Sequence, residues 1–241
     1  MSNASQKYLS IYSGVLTAAF GVIVLTGATS TRSEKFDVID VQRINVREPD
    51  GTLRMTISNK AQFPGLIIKG EEIPHERGDA GVIFFNDEGT ENGGLTFGGQ
   101  REANGEVHSF GHLSFDPYHR DQTLVLSQTE KDGAVRAGLR INDTGDVPIE
   151  QVVKDVLRIK ALPEAERKVA MEEYRKTHAR YLTRRLFVGK DRQGDAQLLM
   201  RDGAGKIRLR LRVAADGASA IEFLDGEGNV TGTVTPETLK Q

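Results

Sequence analysis

The sequence predicts a mainly β fold, an antiparallel meander arranged as a barrel or a sandwich, with a two-helix insertion and an N-terminal transmembrane helix. Three observations carry that expectation. Residues 8–28 form an uncharged apolar run. Beyond residue 36 the apolar residues recur with period two, between short polar stretches that close in glycine. Residues 148–183 break that period and take helical spacing. The implied organisation is a short tail at 1–7, the apolar segment at 8–28, a linker at 29–36, and one mainly β domain at 37–241 carrying the helical insertion.

The apolar segment reads "YLSIYSGVLTAAFGVIVLTGA". At about 1.5 Å per helical residue it spans a hydrocarbon core of roughly 30 Å. Lys7 precedes it; Arg32 and Lys35 follow. Two readings stand: a transmembrane anchor, or a signal peptide cleaved after the small residues Ala28 and Ser30. A buried helix of a soluble protein fits less well, because the run has no polar face.

The β pattern begins at "VIDVQRINV" (38–46) and turns at "REPDGTLR". Pro49 suits the first central position of a turn, Asp50 tolerates the second, and Gly51 can take positive φ. The signal recurs at Gly89, Gly105, Gly133, Gly145, Gly194, Gly205, Gly217 and Gly228. The last four are one strand and one turn apart, as in a meander of hairpins. "KIRLRLRV" (206–213) puts Ile207, Leu209, Leu211 and Val213 on one face, and Lys206, Arg208, Arg210 and Arg212 on the other. The expected arrangement is aliphatic side inward and arginines on a solvated outer face.

The insertion reads as two helices joined near Ala161–Pro163, with Glu164 and Glu166 at the start of the second. Such a pair suits the covering of an open sheet face or edge.

Composition narrows the chemistry. A net charge of −2 gives no field that favours nucleic acid or an anionic membrane. With no cysteine there is no disulfide, thiolate ligand or Cys nucleophile. No Trp and 6% aromatics disfavour a lectin or glycosidase surface. His108, His112 and His119 cluster with Asp116 and Asp121, but on a strand His108 and His112 stand about 13 Å apart, too far to share a metal. His75 and His178 stand alone. No nucleophile elbow, HExxH, P-loop or dinucleotide fingerprint occurs.

The candidate site is the loop within "GVIFFNDEGTENGGLTFGG" (81–99). Asp87, Glu88, Glu91 and Asn92 supply hard oxygen donors of the kind calcium takes, or a pair of acids for general acid–base work. The competing reading is two consecutive turns, Asn-Asp-Glu-Gly and Thr-Glu-Asn-Gly. The glycines of "GGLTFGG" point to close backbone approach.

"FDVIDVQRINVREPDGTLRMTISN", "GVIFFNDEGTENGGLTFGG", "HLSFDPYHRDQTL" and "LFVGKDRQGDAQLLMRDGAGKIRLRL" resemble a family of bacterial proteins with a hydrophobic N-terminus and Gly-rich β repeats. The resemblance covers most of 36–235. It implies a bacterial origin and a single recurrent unit over 36–241. It brings no activity, ligand or site residue.

The function these readings point to is a membrane-anchored envelope protein that binds or scaffolds through the loops of its β domain, rather than an enzyme. Its C-terminal domain would be extracytoplasmic, held by residues 8–28, or free in a secreted form. The alternative is a hydrolase-like enzyme using the acidic loop 86–93 with calcium.

Overall fold

The computed structural model describes residues 3–29, 33–74, 77–177 and 182–240. It divides into two compact units, Met1–Asp40 and Val41–Gln241.

The first unit is built on α1 (Asn3–Thr29), which begins before the apolar run. Its stretch Ala4–Val24 is long and apolar enough for a single membrane span or a signal sequence, and none of it is buried.

The second unit is one long meander. Its strands are β1 (Arg43–Arg47), β2 (Leu53–Ser58), β3 (Leu66–Ile68), β4 (Glu71–Ile73), β5 (Ala80–Phe85), β6 (Glu91–Arg101), β7 (Val107–Phe115), β8 (Leu124–Lys131) and β9 (Ala134–Thr144). Two helices follow, α2 (Ile149–Lys160) and α3 (Glu164–Thr177). The strands resume with β10 (Leu182–Lys190), β11 (Ala196–Arg201), β12 (Ile207–Val213), β13 (Ser219–Leu224) and β14 (Val230–Val234). Twelve strands form a single antiparallel sheet in chain order, with β1 and β14 as its edges. The β3–β4 hairpin is a separate two-stranded excursion. The fold is mainly antiparallel β, as the alternation and turn signals predict. The first strand is shorter than expected: residues 38–42 precede β1 rather than belonging to it.

The turns share one geometry. In seven of them, among the described residues, the first residue's N–H donates to the carbonyl four residues on, and the fourth residue, a glycine, donates back to the first carbonyl. They begin at Glu48, Asn86, Glu102, Asp191, Asp202, Ala214 and Asp225. This is a type I turn followed by a left-handed residue, and Gly51, Gly89, Gly105, Gly194, Gly205, Gly217 and Gly228 all have positive φ there. A side chain fixes each turn. Asn86, Asp191, Asp202 and Asp225 each accept two downstream N–H groups from the first position. Asp50, Asn104 and Asp216 each accept one from the third. Asp132–Gly133 instead makes a two-residue turn with both residues at positive φ. Gly145 differs from the rest: it lies between β9 and α2 and closes no hairpin.

These turns set a register with a large consequence. Ile44, Ile57, Val82, Leu95, Leu113, Leu126, Leu139, Val188, Leu198, Leu211, Ile221 and Val234 are each paired with the next, one per strand, across the whole sheet. Two residues along lies a second row: Val46, Met55, Phe84, Gly93, Phe115, Leu124, Ile141, Leu186, Met200, Leu209, Phe223 and Gly232. Side chains two apart share a face. One face therefore carries two unbroken apolar rows without a charge. No residue of the first row is buried.

The opposite face is mixed, and the core lies there. Thr56, Ile83, Ser114, Val125 and Phe187 belong to its rows, and all are buried. Over its N-terminal part Leu53, Ile67, Ile83 and Phe85 cluster, with Phe63 packed against them. Helix α2 shares a groove of about 220 Å³ with the β3–β4 hairpin, lined by Leu66, Ile73, Val152, Val156 and Leu157. Of the two helices, α2 thus packs beside the hairpin that covers the N-terminal part of the mixed face. The aliphatic-in, arginine-out reading of 206–213 is reversed. Leu211 is 43% exposed, whereas the side chain of Arg210 is only 29% exposed and paired with Glu222. On β12 the arginines are held by acids of the same face, Arg210 by Glu222 and Arg212 by Asp195.

Two facing glycines mark where backbones meet. Gly138 and Gly189 are register partners beneath the Phe187 ring, over which Arg136 stacks at 4.3 Å. A Cβ on Gly189 would lie 2.2 Å from the Ala137 carbonyl oxygen. Gly189→Ala should therefore cost about 2–4 kcal/mol in a denaturant melt. Gly111→Ala, whose Cβ meets no atom within 4 Å, should stay within about 0.5 kcal/mol of the parent.

Candidate functional site

The acidic loop is a turn whose side chains point to different partners. Asn86 closes it with two backbone bonds, and Gly89 takes φ +71. The second expected turn is absent: Thr-Glu-Asn-Gly runs into β6, and Gly93 sits in that strand with its Cα side against the Ser114 carbonyl. The close approach read from "GGLTFGG" is present, since a Cβ on Gly94 would lie 2.6 Å from the Val82 oxygen.

Asp87, 96% exposed, pairs with Arg54 at 2.6 Å. Glu88 accepts from the Tyr118 hydroxyl at 2.7 Å and meets His119 Nε2 at 3.1 Å. Glu91 takes a two-pronged contact from Arg77, at 2.9 and 2.5 Å, with both side chains largely buried. Asn92 uses its carbonyl to accept the Asp116 N–H. Asp87, Glu88 and Glu91 are thus close in sequence but held by three different partners. A calcium site here needs their oxygens to converge, and they diverge. Among the described residues no three His, Asp or Glu side chains gather as a metal would require.

The loop is a junction. Gly70 N–H donates to the Gly89 carbonyl, and Lys69 N–H donates to the buried Thr90 hydroxyl. Both bonds dock the tip of the β3–β4 hairpin on the turn. On the other side Glu88 reaches the segment 116–121, which in turn holds α2. His119 Nδ1 meets Glu150 Oε1 at 2.5 Å, and the His119 carbonyl accepts the Ile149 N–H at 2.8 Å. Glu150 is in the first turn of α2, where the helix dipole favours an anion. Lys69 Nζ stands 3.8 Å from the same carboxylate. His119 holds φ +51, a left-handed conformation that a β-branched residue would rarely take, and its ring packs against Tyr118 at 4.2 Å.

Chemically, this node is a lock. Both ring nitrogens of His119 face carboxylates of the chain itself. Tyr118 and His119 hold the Glu88 carboxyl below the ordinary range, the tyrosine bond being the larger cause. Beside the node lies an open recess of about 700 Å³, lined by Lys69, Arg120, Glu150 and Lys154.

A second group sits deeper. Asp116 is pushed up to about 7, first by burial and then by the charges of Asp121 and Glu91. Its Oδ1 is buried and has no hydrogen-bond partner among the described residues. His112, on β7, is held below the usual histidine range by burial, and next by the charge of Arg140. His108 and His112 lie on one strand, as their spacing predicts. His75 and His178 lie outside the described residues.

Asp116 gives a pH prediction. Its folded-state value lies above the ordinary 3.8, so the native protein binds more protons than the unfolded chain between about pH 4 and 7. The stability it contributes is complete below pH 4 and is lost as pH rises through 7. Asp116→Asn should match the parent near pH 4. By pH 8 it should be more stable, by an amount approaching about 4 kcal/mol as a ceiling. Denaturant melts across pH 4–8 would measure the difference.

No family model, no curated protein and no solved structure matches this chain.

Proposed function

We propose that this chain is a membrane-tethered, non-enzymatic scaffold of the bacterial envelope, which assembles by packing its apolar sheet face against that of a second copy. In this reading α1 is the tether and the β domain is extracytoplasmic. The observation that carries it is the twelve-strand apolar row left uncovered on one face.

A bare face of this size is unusual for a domain that works alone, since exposed apolar patches beyond a few hundred Å² mark interaction sites. At roughly 4.8 Å per strand the rows run about 50 Å. Two rows about 7 Å apart, with their side-chain width, cover roughly 700 Å² per copy, close to the ~800 Å² per partner of a stable interface. An occupant must match that length and twist. A second copy does so by construction, and a self-complementary face closes under a two-fold axis. A net charge of −2 gives little repulsion between copies and no pull toward anionic lipid. The loops, by contrast, spend their acids on internal bonds. The surface that scaffolds is therefore the sheet face rather than the loops.

The hydrolase reading keeps one specific support, the Asp116 carboxyl near neutrality beside Asp121 and Glu91. It would run through Asp116 rather than Asp87 or Glu88.

The chain has no cysteine, so single cysteines report cleanly. In full-length protein in nanodiscs, Leu126→Cys at the row's centre should form a disulfide dimer and resist maleimide. Ser127→Cys, on the other face, should do neither. Leu126→Asp should yield a monomer by mass. A monomeric parent with Leu126→Cys labelled as fast as Ser127→Cys would refute the reading. Protection in a monomer would mean that lipid covers the face, and would refute self-assembly. A mature N-terminus near 29–31 would remove the tether.

A further inference from the structure

The mixed face holds a group of arginines without counterions. Arg136 and Arg140 on β9, Arg184 on β10 and Arg201 on β11 lie on this face of three adjacent strands. Arg140 is the register partner of Phe187, and Arg136 stacks on the Phe187 ring. Arg184 pairs with the buried Asn142. Arg201 spends one N–H on the Gly205 carbonyl. None of the four meets a carboxylate within ion-pair distance among the described residues, and the Nε of Arg140 is buried with no partner at all.

The neighbours show that this is not the habit of the face. On β12, Arg210 meets Glu222 and Arg212 meets Asp195 at 3.3 Å. Arg185, beside the group, is taken by Asp143 at 2.5 Å. Acids near the group are engaged elsewhere: Asp191 closes the β10–β11 turn. Arg136, Arg140 and Arg201 are partly buried and Arg184 is exposed beside them; partly buried guanidinium groups without an acid are costly. Arg136, Arg140 and Arg201 are each held below the usual arginine range, by burial first and then by the charge of Arg184. Asp191 opposes this at Arg136.

We propose that Arg136, Arg140, Arg184 and Arg201 form a binding site for a phosphate-bearing anion. Guanidinium forks match tetrahedral oxyanions with paired N–H donors, and an anion would relieve the mutual repulsion of the group. Phosphate is presented either by a free anion or by a lipid headgroup. The site is on the face opposite the apolar rows and does not depend on the scaffold reading.

The test uses the full chain in dodecyl maltoside micelles, which carry no phosphate, with thermal melts in chloride and in inorganic phosphate at equal ionic strength. Phosphate should raise the Tm of the parent saturably. Arg184→Gln should raise Tm in chloride, by relieving repulsion, and should lose roughly tenfold or more of the phosphate affinity. Arg140→Gln should behave likewise. A second arm adds phosphatidylglycerol to the micelles. A Tm rise there without added phosphate, lost in both variants, assigns the headgroup as the source; a response to inorganic phosphate alone assigns the free anion. If neither arm separates parent from variants, or if Arg184→Gln lowers Tm in chloride, the arginines are structural and the proposal fails.

Discussion

Strand register is the constraint on which the rest depends. Side chains alternate between faces with a period of two, so a slip of one residue in any hairpin would send every later apolar residue to the other side. Here seven turns of one geometry hold that register, each closed by a positive-φ glycine and an Asp or Asn that binds its own backbone. They make seven of the eleven connections of the twelve-strand sheet, and the two apolar rows run unbroken through the other four as well.

That register separates two tasks. The mixed face, with Thr56, Ile83, Ser114, Val125 and Phe187 buried, is closed by the hairpin, α2 and stacked or paired arginines. Among the described residues of the second unit, none buries the first apolar row. The junction at 86–90 couples the elements of the closed side. Its backbone receives the β3–β4 tip, and Glu88 reaches His119, which pins the start of α2. Arg77 and Glu91 lie beneath, a nearly buried pair whose loss on one side alone would strand a charge.

Much of the fold is legible in the sequence because its signals are local. The apolar run at 8–28, the glycine turns, the alternation of 206–213 and the break at 161–163 each depend on residues a few positions apart. What is not legible depends on distance in sequence. Nothing near Glu88 reveals that its partner is His119, 31 residues away, or that His119 also meets Glu150, 31 residues further. The acids 87, 88 and 91 read as a group because they are adjacent, but a turn sends neighbouring side chains apart. Asp116 is legible only as one of several acids; its elevated value comes from burial, which alternation alone does not predict. The inversion of the arginine face has the same origin. The pattern of β12 shows that two faces differ, but the acids that take Arg210 and Arg212, Glu222 and Asp195, lie on or beside other strands.

The measurement that tests this account most directly is disulfide mapping of register in the C-terminal strands, with paired cysteines placed in the cysteine-free full chain. Leu198 and Leu211 are register partners on the apolar face, at a separation that suits a disulfide. Leu198→Cys with Leu211→Cys should cross-link efficiently within one chain. Leu198→Cys with Arg210→Cys, one residue out of register and on opposite faces, should not. Equal cross-linking of both pairs, or linking of the second alone, would contradict the register and with it the continuous apolar face.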